Sequence, residues 1–418
     1  MNYFQYREDT LYCEEVSLAD IAKEVGTPFF LYSHKTLLQH FRAFNDAFNE
    51  IDHLVCYAIK ANSNIAILNM FAKEGSGFDA VSGGEIFRAI QAGCEPRKIV
   101  YAGVGKTREE IRYALEQGIL MFNVESSQEL FTIDEIAGSM GIKADVALRV
   151  NPDIDAKTHP YITTGMKNNK FGINIDLAFN EYKLASSFEN INLAGIHQHI
   201  GSQITQISPF VDALKKLLSL ADRLKGEGIP ISFLDLGGGL GINYEDEAPP
   251  HPEELAKELV PILKNSGYKI IFEPGRVIVG NAGILVSKVL YTKIGEEKNF
   301  LIVDAGMNDL VRPSLYESYH EILPVKKDTG RKEEVVDVVG PICESGDFLA
   351  KDRGLPIMKK DELMAVMSAG AYGFTMASNY NSRRKPPEVL VKGNTFHVIR
   401  RREENEDLIR GEKVPELI

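Results

Sequence analysis

A chain of 418 residues with 44% hydrophobic and 25% charged side chains is composed like an ordinary soluble globular protein. Its 47 basic and 59 acidic residues leave a formal net charge of −12, which argues against a general nucleic-acid or acidic-membrane surface. A small anion can still be held by local basic groups and backbone N–H donors.

The four cysteines, Cys13, Cys56, Cys94 and Cys343, lack metal-like spacing and read as reduced thiols. The start is charged too early for a secretory signal, and no apolar run reaches about 18 residues. A cytoplasmic protein is expected, with neither nucleic acid nor membrane as partner.

Pattern alone does not place the polar, Tyr-rich opening; residues 1–27 are grouped with the C-terminal part of the chain. From about Phe29 to Arg276 short apolar runs alternate with helical patterns. The candidate strands are LVCYAIK (54–60), GFDAV (77–81), IVYAG (99–103), MFNVE (121–125), DVALRVN (145–151), LAGIHQH (193–199), ISFLDLG (231–237) and KIIFEPG (269–275). Between them lie amphipathic segments such as NIAILNMFAKEG and SSQELFTIDEIAGSMG, the second with Ser126 or Ser127 available as a cap. Eight such strands predict a TIM-type (β/α)8 barrel over 28–280. Beyond it, VLYTKIG, NFLIVDAG, EEVVDVVG, LMAVMSAG and EVLVKGNTFHVIRR predict a second, all-β domain, sandwich- or barrel-like, over 281–418.

A parallel barrel gathers its chemistry at the C-terminal ends of its strands. Lys60, Asp79, Asn123, Arg149, Asn151, His197, His199, Asp235 and Glu273 fall there in turn. Lys60 closes an apolar run, where a neutral amine attacks carbonyls, although a lysine snorkelling to the rim accounts for it equally. Gly237, Gly238 and Gly239 can bring N–H groups to a phosphate or simply make a tight loop; Gly239 and Gly241 have Tyr244 where the third glycine of a dinucleotide fingerprint would stand. GVGKT (103–107) ends like a phosphate-binding loop, but Val100 stands where that motif needs glycine. His197 and His199, two apart on a predicted strand, would share one face and either bind a metal or place one ring against a flat cofactor. Glu273 and Arg276 in EPGR suit a ring nitrogen and an anion, or a rim salt bridge. CESGD (343–347) adds a thiol and two acids, a weak signal by itself.

Together YAIKAN (57–62), GFDAVSGGE (77–85), HQHIGSQ (197–203), DLGGGLGI (235–242), EPGR (273–276), DAGMNDLVRPSLYESYH (304–320), GPICESGD (340–347) and GAYGFTMASNYNSR (370–383) resemble the fold-type III pyridoxal-phosphate enzymes, with their alanine racemase-like barrel, and within them the diaminopimelate decarboxylases. The resemblance implies pyridoxal 5′-phosphate as cofactor, no metal, and decarboxylation of meso-diaminopimelate to L-lysine. It implies that Lys60 bonds the cofactor's aldehyde, that His199 stacks on its ring and that Glu273 partners the ring nitrogen. Ser202, Gly237, Gly238, Gly239, Gly275 and Arg276 then resemble the phosphate cradle, and Tyr372 touches both phosphate and substrate. Arg276, Arg312 and Tyr316 resemble the groups for the distal carboxylate, Glu344 the group for the distal amine, and Cys343 the proton donor, with Lys60 its rival. A homodimer with shared active sites is also implied, the CESGD loop coming from the partner subunit.

The carboxylate at Glu273, where racemase relatives carry arginine, favours decarboxylation because a protonated ring nitrogen deepens the electron sink. Ornithine, arginine or carboxynorspermidine are the rival substrates on the same fold, and a metal-dependent barrel hydrolase built on HQH is the rival from another class.

Overall fold

The computed structural model describes residues 2–155 and 170–416. The chain divides into two compact units, one of His40–Asn243 with Glu247–Ile278, the other of Met1–Gln39, Tyr244–Asp246 and Val279–Ile418.

The first unit is a closed parallel barrel. Its strands are β1 (His53–Ala58), β2 (Gly77–Ala80), β3 (Ile99–Tyr101), β4 (Met121–Val124), β5 (Ala144–Asn151), β6 (Ile191–His197), β7 (Phe233–Asp235) and β8 (Lys269–Phe272). Each pairs with the next, β8 returns to β1, and β4 pairs with β5, so the ring has no open edge. Strands such as β2 and β4 are buried at every residue, as parallel strands covered on both faces must be.

The connecting helices are α1 (Ile65–Lys73), α2 (Gly83–Gln91), α3 (Arg108–Gln117), α4 (Ser127–Met140), α5 (Ile175–Ala185), α6 (Ser208–Gly226) and α7 (Pro252–Leu263). Their starts are written locally: Asn64, Ser82, Thr107, Ser126 and Asn174 each accept a backbone N–H of the first turn. Of the two serines offered at α4, Ser126 is the cap. Among the described residues no helix is long and apolar enough to cross a membrane.

The eight predicted strands are all present; seven of them end one to three residues sooner than expected, and two of these shifts move predicted site residues. β1 stops at Ala58, and Lys60 sits in a 3-10 turn, Ile59–Ala61. β6 stops at His197, so His199 lies in the following loop and the two histidines do not share a strand face. The pairing with β7 ends at His197 and Asp235, closed by the Gln198 N–H that goes to Asp235 O at 2.9 Å, and the chain leaves the sheet beyond it.

The second unit is β-rich, as predicted. Its main sheet runs, in spatial order, Phe348–Pro356, Glu333–Val339, Asn299–Val303, Gly283–Ile294, Phe29–Ser33, Glu388–Lys392 and Thr395–Arg400. Leu363–Val366 also pairs with Gly283–Ile294, and Ile322–Pro324 with Leu363–Val366. Phe29–Ser33 was expected at the start of the barrel domain. Instead its five buried residues pair antiparallel with Gly283–Ile294 and parallel with Glu388–Lys392, so the barrel unit begins at His40 and not at 28. An apolar run of this length fits either unit; only its long-range partners decide. The unplaced opening forms a small antiparallel sheet, Phe4–Arg7, Thr10–Cys13 and Val16–Ser17, followed by a helix, Leu18–Val25. Leu11, Cys13, Leu18 and Ile21 join Phe29, Leu31, Ile284 and Val389 in one apolar core.

Candidate active site

The polar strand ends of the barrel meet one another. Lys60 Nζ lies 2.5 Å from Asp79 Oδ2 at the end of β2; the lysine side chain is 33% exposed and the aspartate fully buried. Across the barrel the Asn123 amide on β4 donates to Asp235 Oδ2 at 3.0 Å and Glu273 Oε1 at 3.1 Å. His197 Nε2 reaches Glu273 Oε2 at 3.4 Å. On β5, Arg149 pairs with Glu125 at 2.6 Å, both buried.

These neighbours divide the acids between protonation states. Burial alone would raise the Glu273 carboxyl, but the His197 imidazole, with Lys60 and His199 behind it, holds it below the usual carboxylate range. Burial, then the charge of Glu273, pushes Asp235 well up, against the Gly237 N–H that it accepts at 3.0 Å. Burial and Glu273 also raise Asp79, against the pull of Lys60. Packing around the His199 ring, with Arg149 and Lys60 nearby, pushes that imidazole well below its ordinary value, so it presents a neutral ring.

Glu85, in the first turn of α2, is raised to about 7, chiefly by burial, against the Val81 N–H that it accepts. A carboxyl raised in the folded state adds stability that is full below its unfolded pKa near 4.5 and is lost as pH rises through about 7. Glu85→Gln, which keeps the acceptor, is therefore expected to flatten part of the fall in melting temperature between pH 4.5 and 8. A profile parallel to that of the parent protein would refute the shift.

The glycine run is dictated by backbone packing. A Cβ would stand 2.4 Å from Gln198 O at Gly237, 2.1 Å from Glu273 O at Gly238 and 2.5 Å from Gly201 O at Gly239. At Gly275 it would meet Ala61 Cβ at 3.0 Å. The loop therefore needs glycine whether or not it meets a phosphate. Its Gly238 N–H donates to His199 Nδ1 at 3.1 Å, fixing the ring orientation, and Arg276 Nη2 donates to Ser202 Oγ at 3.0 Å.

The metal alternative drawn from HQH required both histidines. Among the described residues, His197, Asp235 and Glu273 have ligand atoms within 4.8 Å of one another, and His199 is not in that group. Pyridoxal phosphate suits these residues better. Lys60 supplies an amine for an aldehyde and Glu273 an ionised carboxylate. With about four acceptor sites per carboxylate, Glu273 can take a further N–H beyond Asn123 and His197.

In the second unit, Arg312 opens a short helix, Arg312–Tyr316, and is 5% exposed. Its Nη1 donates to Tyr244 Oη at 3.1 Å and its Nη2 to Ser318 Oγ at 3.0 Å, with the Tyr244 ring centre 4.9 Å and the Tyr316 ring centre 6.0 Å from its guanidinium carbon. The buried Asp347 accepts the N–H groups of Met307 and Ile342, each at 2.6 Å, and so ties the loop bearing Cys343 to the DAGMND segment. Cys343 and Glu344 are exposed there; the Cys343 N–H donates to Asn381 Oδ1 at 2.7 Å, and Tyr380 Oη donates to Glu344 at 3.4 Å. Tyr372 is held at φ +56°, a conformation costly for a bulky residue and concentrated at functional sites.

Of the residues singled out from the sequence, the barrel brings together Lys60, His199, Ser202, the glycines, Glu273 and Arg276, while Arg312 and Tyr316 meet in the second unit. Asp79, Asn123, Arg149 and Asp235 were legible as polar strand ends lining one site, but the sequence did not say which site residue each would contact. Tyr244 carried no signal at all, since its link to Arg312 spans 68 residues.

The model of the pyridoxal-dependent decarboxylase pyridoxal-binding domain matches residues 34–280. The diaminopimelate decarboxylase of Vibrio cholerae is 51% identical over 416 residues, 99% of each chain, and that of Haemophilus influenzae 52% identical over 98% of each. The crystal structure of diaminopimelate decarboxylase from Helicobacter pylori complexed with L-lysine superposes with a TM-score of 0.90 at 44% identity, covering 94% of this chain and 98% of that one. With its barrel, the matching domain model and its full-length relatives in agreement, this chain belongs to the diaminopimelate decarboxylase family of pyridoxal-dependent decarboxylases.

Proposed function

We propose that this chain decarboxylates meso-diaminopimelate to L-lysine and CO2, the last step of lysine biosynthesis, with pyridoxal 5′-phosphate as cofactor. The observation that carries the reading is the pairing of Lys60 with buried Asp79 at the mouth of a barrel where Glu273, just past the adjacent strand β8, is held ionised.

Pyridoxal phosphate, when bound, supplies an electron sink for the pair left as the carbon–carboxylate bond breaks. Lys60 is the residue that would bond its aldehyde carbon, and Asp79 steadies the lysine ammonium beforehand. Glu273, kept charged by His197, favours a proton on a ring nitrogen set against it. His199 offers a neutral face for stacking. Ser202, Arg276 and the N–H groups of Gly237, Gly238, Gly239 and Gly275 make the phosphate cradle.

The second unit supplies substrate recognition. Arg312 and Tyr316, with Arg276, receive the distal carboxylate, Glu344 the distal ammonium, and Tyr372 touches both phosphate and substrate. Cys343, exposed on its loop, returns a proton to the carbon that lost CO2. The enzyme works as a cytoplasmic homodimer with shared sites, each CESGD loop serving the partner subunit.

The test is an absorbance spectrum of the purified protein before and after meso-diaminopimelate, with CO2 followed in the same cuvette. A visible band that borohydride removes, with CO2 and lysine released, is expected. A band without CO2 would move the substrate to ornithine or a relative. No band after added pyridoxal phosphate would overturn the reading.

A further inference from the structure

The GVGKT run, which ends like a phosphate loop without being one, has another use. Lys106 is wholly buried, and its ammonium donates to Gly103 O at 2.8 Å, Asn123 O at 2.9 Å and Glu129 Oε1 at 2.6 Å, beside the Tyr101 ring at 5.2 Å. All three of its donors are thus satisfied. The other oxygen of Glu129 accepts the Glu125 N–H at 2.9 Å. One buried ion pair therefore grips the end of β4 twice, at the Asn123 carbonyl and at the Glu125 amide.

Both gripped residues face the chemistry. The Asn123 amide bridges the Asp235 and Glu273 carboxylates, and the Glu125 carboxylate holds Arg149 and the Gly172 N–H, the latter at 2.8 Å. A buried ion pair adds little net stability over apolar side chains of equal volume; its better-attested value is in fixing one geometry.

We propose that Lys106 is a positioning residue for the decarboxylation: with Glu129 it sets the end of β4 so that Asn123 can serve Asp235 and Glu273 together. This rests on the role given to Glu273 in the proposed function. Glu273 is faced by Lys60 from beyond β1, Asp79 from β2, His197 and His199 from the end of β6, and Asp235 from β7. Without the Asn123 amide, the ionised form of Glu273 loses a hydrogen bond and Glu273 takes up a proton at higher pH.

The experiment compares kcat–pH profiles of the holoenzyme for the parent protein, Lys106→Met, Asn123→Ala and the double variant, with melting temperatures alongside. Lys106→Met is expected to lower kcat about tenfold and to move the acid limb to higher pH, and to add little further loss in the Asn123→Ala background. Losses that simply multiply, with the acid limb unmoved, would overturn the positioning role. Should Lys106→Met fail to fold, the pair Lys106→Met with Glu129→Gln, which leaves no lone buried charge, replaces it in the same cycle. If that pair also fails to fold, the role is structural and the proposal falls. A parent protein that releases no CO2 from diaminopimelate would defeat the proposed function instead, so the two failures are distinct.

Discussion

Lys60→Ala is expected to lower turnover of diaminopimelate by about 10⁴-fold or more, the scale of losing a covalent catalyst. The borohydride-sensitive visible band should vanish with it. The fold should survive. Asp79, left without its ammonium, is already pushed up by burial and by Glu273, so it can neutralise itself by taking a proton instead of remaining a lone buried charge. A melting temperature close to that of the parent protein, with activity gone, separates chemistry from folding. More than a tenth of the parent activity in Lys60→Ala would remove the lysine from the mechanism.

Arg312→Ala is expected to reduce kcat/KM for diaminopimelate roughly 10²- to 10⁴-fold, the range set by the 3–5 kcal/mol of leaving a buried charge without its partner. The guanidinium is already oriented by two hydroxyls, Tyr244 and Ser318, and lies over the Tyr244 ring, so little side-chain entropy remains to be lost when a carboxylate arrives. Arg312→Lys should rescue poorly, because an ammonium lacks the planar fork that reaches both hydroxyls. Near-parent kinetics with diaminopimelate in Arg312→Ala would sink the assignment of this arginine to the distal carboxylate and reopen ornithine-type substrates.

Much of the barrel was legible because parallel strands and their helices announce themselves locally. Apolar runs of strand length, each followed by an amphipathic segment with its own cap at Ser82, Thr107 or Ser126, need no distant information. The identities of the strand-end residues were legible for a related reason: polar side chains interrupting apolar runs are costly unless used. Phe29–Ser33 was misplaced because a short, largely apolar run fits any sheet, and its partners lie about 250 and 360 residues further along the chain. The shared strand face for His197 and His199 failed because the pairing of β6 with β7 ends at His197 and Asp235, a limit set by the partner strand and not by the local apolar pattern.

By itself, then, the sequence determined the alternating barrel, the β-rich second unit and the set of titratable groups available for chemistry, since periodicity, caps and residue type are local properties. Only the tertiary structure decided which of those groups meet: Asp79 with Lys60, Asn123 between Asp235 and Glu273, and Tyr244 with Arg312. Charge states followed from those meetings. Whether a buried acid is ionised depends on which cation or amide stands beside it, and that neighbour comes from a different strand.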